Sequence, residues 1–141
     1  MSLATRTDTD ILQPTGRHVV VALDDDAETL AALKRLLRDE RYELRTTFKP
    51  AEALEWIAAG EVSLLLSDHL MPEMTGVELS EAVQRFDTTC VLLTGYAERV
   101  HVSPGLEASV RELIHKPWDD RDLRKTIRLL LREREMREGN R

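Results

Sequence analysis

The run Val-Ser-Leu-Leu-Leu-Ser-Asp (62–68) limits the fold more than any other stretch of the chain. It is apolar at consecutive positions and too short for a buried helix. A run of that kind belongs to a strand covered on both faces, as in a parallel sheet. It stops on a carboxylate, Asp68, and a loop bearing Pro72 and Gly76 turns away from it. Three other short apolar runs end in the same polar manner. His18-Val-Val-Val-Ala-Leu23 runs into Asp24-Asp25-Asp26, residues 89–94 end on Thr94, and residues 110–115 stop just before Lys116-Pro117.

The segments between these runs have helical spacing. Leu30, Leu33, Leu36 and Leu37 predict a helix from Asp26 to about Glu40. Pro50 opens a second helix in its first turn and Gly60 closes it. Residues 42–47 alternate and read as an edge strand. Residues 76–86 form a third helix, and Asp119 caps a long last one whose buried stripe is Leu123, Ile127 and Leu130. A helix is also due between the fourth and fifth strands, where Ser103-Pro104-Gly105 interrupts it. Five strands alternating with helices predict an α/β domain: a parallel sheet with helices on both faces. Ligand groups of such sheets gather at the carboxyl ends of the strands. There this chain has an acid pair, an aspartate, a threonine and a lysine.

Charge and composition narrow the function classes. The net charge is −6 over 141 residues, yet residues 121–141 hold eight Lys/Arg against four Asp/Glu. The acidic body argues against direct nucleic-acid contact. The mixed-sign run 132–138 reads as a solvated helix face. No apolar stretch suits a membrane span, and no secretory signal is visible. The lone Cys90 lies in an apolar strand, reads as a core residue, and suits a reducing cytoplasm. Residues 1–16 are polar and read as a flexible leader, 17–133 as the domain, and 134–141 as a charged tail or the start of a linker.

Taken in order, Leu-Asp-Asp-Asp (23–26), Ser-Asp-His-Leu-Met-Pro-Glu-Met-Thr-Gly (67–76), Leu-Leu-Thr-Gly-Tyr (92–96) and His-Lys-Pro-Trp (115–118) resemble the receiver domain of two-component response regulators. The 22-residue step from Thr94 to Lys116 is similar too. The resemblance implies a (βα)5, flavodoxin-like, doubly wound five-stranded sheet. It also implies a role: accepting a phosphoryl group on Asp68 from a histidine kinase or phosphotransfer protein. Such a domain is not an enzyme beyond its own phosphorylation and dephosphorylation. Asp25 would ligate Mg²⁺ (or Mn²⁺) directly, Asp24 would help through water, and Asp68 and the backbone carbonyl of Leu70 would complete the protein ligands. The chemistry makes sense of this set, because clustered acids repel one another unless a cation lies among them. Asp26 would cap a helix instead of binding metal. Lys116 would contact a phosphoryl oxygen, aimed by a cis bond to Pro117. Thr94 would be the switch residue whose hydroxyl moves to the phosphate. Leu70 and Tyr96 would flank the approach of a hydrolysing water and slow dephosphorylation. In the family the fourth helix, fifth strand and last helix often form a homodimer face, and here Leu129, Leu131 and Met136 are left for a partner; the resemblance is compatible either with a stand-alone receiver or with an output domain beyond the carboxyl end. Lys-Pro-Trp-Asp-Asp (116–120) is similar to receivers attached to transcriptional activators or cyclic-di-GMP hydrolases.

The chain departs from the family pattern in three places. The position three before the lysine, usually an aromatic that moves with the switch threonine, is Leu113. Pro104-Gly105 interrupts the helix after Thr94, and residues 85–89 make a short connection. Two other readings compete. A phosphatase of the haloacid dehalogenase type would use Asp24–Asp26, Thr94, Lys116 and the late pair Asp119-Asp120, but it wants Thr or Val at Glu28 and leaves Asp68 unexplained. A receiver-fold module that works without phosphate would fit the departures but not the intact acids.

Overall fold

The computed structural model describes residues 13–68, 76–95 and 110–139. Five strands form one parallel sheet: β1 (Val19–Leu23), β2 (Glu43–Thr47), β3 (Leu64–Asp68), β4 (Thr89–Thr94) and β5 (Val110–His115). Their order is β2-β1-β3-β4-β5. Four helices are described: α1 (Ala27–Leu37), α2 (Pro50–Ala58), α3 (Gly76–Arg85) and α4 (Asp120–Gly139). The helix expected between β4 and β5, with Pro104-Gly105, falls outside the described residues, as do Leu70 and Tyr96.

The two-residue period of the strands sorts their side chains into two cores. Val20, Ala22, Leu64, Leu66, Val91 and Leu93 face α1 and α4, where Leu30, Leu33, Leu37, Leu123, Ile127, Leu130 and Leu131 close over them. Val21, Leu23, Leu65, Cys90 and Leu92 face the other way, onto Ala53, Ile57 and Val83 of α2 and α3. The sheet is therefore doubly wound, and the continuous apolar runs of β1, β3 and β4 follow from burial on both faces. Connections leave β1 and β3 toward opposite edges, so the crevice between their carboxyl ends is the switch point at which such sheets bind ligands.

Several boundaries differ from expectation for identifiable reasons. Helix α1 stops at Leu37, not near Glu40, because Glu40 turns toward α4 and pairs with Arg128. Arg128 Nε donates to Glu40 Oε1 at 2.6 Å and its Nη2 donates to Oε2. Both side chains are almost fully buried. Leu131, expected to await a partner, is buried in the core, whereas Leu129 and Met136 are exposed. Cys90 is a core residue, and burial pushes its thiol up to about 12. The short connection after α3 turns through Asp87, whose φ is 53°, a region Asp tolerates better than most residues. Gly60, with φ 78°, ends the turn after α2 as expected.

Both ends of the described chain are fastened. Gln13 and Pro14 are buried, so the expected leader is packed at its carboxyl end. Helix α4 continues six residues past position 133, into the expected tail. The Glu135 carboxylate accepts from the Thr15 backbone N–H at 3.0 Å and the Gly16 N–H at 2.6 Å. It also lies 2.7 Å from His18 Nε2, and His18 Nδ1 lies 2.9 Å from Ser63 Oγ. A Cβ at Gly16 would come within 3.0 Å of Glu135 Oε2, so a residue without a side chain suits this position. No helix among the described residues is long and apolar enough to cross a membrane.

Candidate functional site

The site is built where β1, β3, β4 and β5 end. Strand β1 runs apolar to Leu23, and the next residue, Asp24, is buried with 1% exposure. Its burial is compensated on both oxygens. Oδ1 accepts from the Asp26 backbone N–H at 2.9 Å, and Oδ2 accepts from Lys116 Nζ at 3.0 Å. Asp25 is exposed. Asp68 is the last residue of β3, partly exposed, with Oδ1 3.7 Å from Lys116 Nζ. Carboxylate oxygens of Asp24, Asp25 and Asp68 all lie within 4.8 Å of one another. The three acids expected from sequence are thus brought together, with the expected lysine over two of them.

Asp26 stands apart from the cluster as the N-cap of α1. Its Oδ1 accepts from the Glu28 N–H at 3.1 Å and its Oδ2 from the Thr29 hydroxyl at 2.9 Å. The Thr29 hydroxyl first, then the Glu28 amide, hold its carboxyl below the usual range. Capping consumes its oxygens, as expected.

Lys116 follows β5, and its bond to Pro117 is cis. Its backbone N–H donates to the Thr94 carbonyl at 2.6 Å, which ties it to the end of β4. Burial disfavours its charge, but the hydrogen bond to Asp24 and the fields of Asp24, Asp68 and Asp26 outweigh that, and its pKa is raised. The ammonium is therefore a fixed positive charge.

Thr94 ends β4 fully buried. Its hydroxyl is engaged sideways across the sheet, 3.1 Å from Nδ1 of His115, the residue opposite it in β5. The sequence offered His115 only as a strand end. A threonine paired in register with a histidine is visible only once β4 and β5 are aligned. The late pair Asp119-Asp120 is not part of the cluster. Asp119 caps α4 by accepting from the Asp122 N–H at 3.0 Å, and Asp120 accepts from Trp118 Nε1 at 3.0 Å. A dehalogenase-type phosphatase would need that pair at the metal, so its main resemblance is accounted for by capping.

Oxygen donors alone, two of them accessible, suit a hard divalent cation. An acid triad and a lysine at the switch point of a β2-β1-β3-β4-β5 sheet can hold such a cation beside an anionic group. The comparisons with known proteins point to one family. The response regulator receiver domain family matches residues 20–128. The chain is 32% identical over 126 residues to the cyclic di-GMP phosphodiesterase response regulator RpfG of Xanthomonas campestris pv. campestris, covering 85% of this chain and 33% of that protein. It is 31% identical over 114 residues to the transcriptional regulatory protein CpxR of Escherichia coli K12, covering 80% and 49%. The chain thus spans a third to a half of the length of these relatives. Among solved structures, the signal receiver domain of an HD domain-containing protein from Pseudomonas fluorescens Pf-5 superposes with a TM-score of 0.74 at 29% identity, covering 90% of this chain and 95% of that one. An uncharacterized protein from Neptuniibacter caesariensis gives 0.77 at 31%, covering 87% and 93%. The acids of β1 and β3, the lysine after β5 and the threonine of β4 lie within the matched residues, and the chain belongs to the response regulator receiver domains of two-component systems.

Proposed function

We propose that this receiver takes a phosphoryl group on Asp68 from a histidine kinase or phosphotransfer protein, with Mg²⁺ or Mn²⁺ held by Asp24, Asp25, Asp68 and the Leu70 carbonyl. One observation carries the reading: the three carboxylates lie within 4.8 Å of one another, with Lys116 Nζ 3.0 Å from Asp24 and 3.7 Å from Asp68. A bound divalent cation supplies charge neutralisation for an anion entering this acidic crevice. The chain's own residues do the rest. An Asp68 oxygen forms the new bond to phosphorus as the bond to the donor nitrogen breaks, and the electron pair stays on that nitrogen. Lys116, already charged and tied to β4 through its backbone, gives a phosphoryl oxygen a fixed positive partner. Thr94 offers its hydroxyl to another oxygen. The phosphoryl group carries about −1.5 to −2 charges in place of the carboxylate's single one, which re-partners Lys116 and biases β5 and α4, where Leu113, Leu129 and Met136 are exposed.

The test is incubation with acetyl phosphate or phosphoramidate and Mg²⁺, read by intact mass. One phosphate is expected on the wild type and none on Asp68→Asn. Labelling of Asp68→Asn at the wild-type rate would exclude Asp68 as the acceptor.

A further inference from the structure

We propose that His115 is a positioning residue that holds the Thr94 hydroxyl away from the phosphate site in the resting domain. This sets the balance between resting and phosphorylated conformations, and the proposal rests on Asp68 being the phosphoacceptor.

Thr94 is fully buried, and its Oγ1 lies 3.1 Å from His115 Nδ1. A buried hydroxyl without a partner is costly, so the resting state needs one. Among the described residues, His115 is the side chain hydrogen-bonded to it. The threonine hydroxyl has a single hydrogen. While Nδ1 accepts that hydrogen, it cannot also be given to a phosphoryl oxygen. The two partners therefore compete for one donor.

The cost of the exchange is uneven. His115 is exposed and regains water when released, whereas Thr94 must always find a protein or phosphoryl partner. Strand position strengthens the assignment. Residue 113, where the family places an aromatic coupled to the switch threonine, is a leucine with no polar atom. His115 lies two residues further along the same face of β5. In this chain the coupling to Thr94 passes through the hydrogen bond that its hydroxyl gives to His115.

Removing the acceptor destabilises the resting state and leaves the phosphorylated one untouched. His115→Phe keeps a planar ring and loses Nδ1. His115→Asn keeps a side-chain oxygen close to the Nδ1 position. The readout is the beryllofluoride concentration needed to saturate the full chain in Mg²⁺, followed by Trp118 fluorescence in a Trp56→Phe background. His115→Phe should lower that concentration about 2- to 12-fold, the range of one net hydrogen bond. His115→Asn should stay close to wild type. In a Thr94→Ala background His115→Phe should change nothing, a result that a merely structural role for His115 would not give. Three results overturn the proposal alone: no gain in His115→Phe, an equal gain in the Thr94→Ala background, or a gain in His115→Asn as large as in His115→Phe. A wild type that fails to bind beryllofluoride overturns the phosphoacceptor reading itself, and this proposal with it.

Discussion

Replacing Glu135 by glutamine tests whether the end of α4 belongs to the folded unit. The carboxylate is 17% exposed and lies against His18 and the backbone of residues 15 and 16. Burial alone would raise its pKa. The hydrogen bond to His18, then those from Gly16 and Thr15, more than reverse this and bring it from 4.5 to about 2. At 1.36 kcal/mol per unit the gap corresponds to roughly 3 kcal/mol. The group lies at the rim of the fold, where solvent screens it, so we expect about 1–2 kcal/mol. The sign follows from the direction of the shift. The folded chain holds the proton more weakly than the unfolded chain, so the contribution is fully present above about pH 4.5. It fades as pH falls through about 2. Urea denaturation of wild type and Glu135→Gln should show a midpoint difference at pH 7, with unchanged slope. By pH 3 roughly half of that difference should be gone. A difference that is flat between pH 7 and 3, or absent at pH 7, would refute the role of Glu135 as a charged clip.

Three further outcomes are expected. Asp25→Ala should weaken Mg²⁺ binding strongly and nearly abolish labelling by acetyl phosphate, Asp24→Ala should do less, and equal labelling in EDTA and Mg²⁺ would sink the metal assignment. Arg128→Met leaves Glu40 buried without its partner and should cost about 3–5 kcal/mol in chemical denaturation, whereas the joint change with Glu40→Leu should recover most of it. Sedimentation should show more dimer with beryllofluoride than without, through the surface of α4 where Leu129 and Met136 are exposed, and an unchanged mass would remove that surface as the output.

The strands were legible because burial on both faces writes uninterrupted apolar runs, and β1, β3 and β4 carry them. The acid cluster was legible because its members end strands, and a parallel sheet brings strand ends together whatever their spacing in sequence. What escaped was pairing between distant polar residues. The charges of 132–138 alternate like a solvated helix face, yet Glu135 reaches His18 and Arg134 Nη1 donates to the Asp87 carbonyl. Arg128 occupies a core stripe that would otherwise suggest only leucines, and its partner Glu40 lies beyond the end of another helix. The hydrogen bond between Thr94 and His115 needs the register of β4 on β5, which includes an irregularity at Cys90/Val91 that no local pattern signals.

The alternation of β3 bears on how this domain tolerates insertions and deletions. Leu64 and Leu66 face one core, Leu65 faces the other, and Asp68 closes the same strand. Losing or gaining one residue inside β3 would turn each leucine to the wrong core and would also swing the carboxylate away from Asp24 and Lys116. A two-residue change would restore the faces but move Asp68 along the strand by about 7 Å, well beyond its present 3.7 Å from Lys116. Length variation in this segment therefore cannot displace Asp68 and spare the fold by a single step, nor keep the site while disturbing the core. Point substitution at the acid cluster, of Asp68 or of Asp25, changes the site while the length of β3 stays fixed.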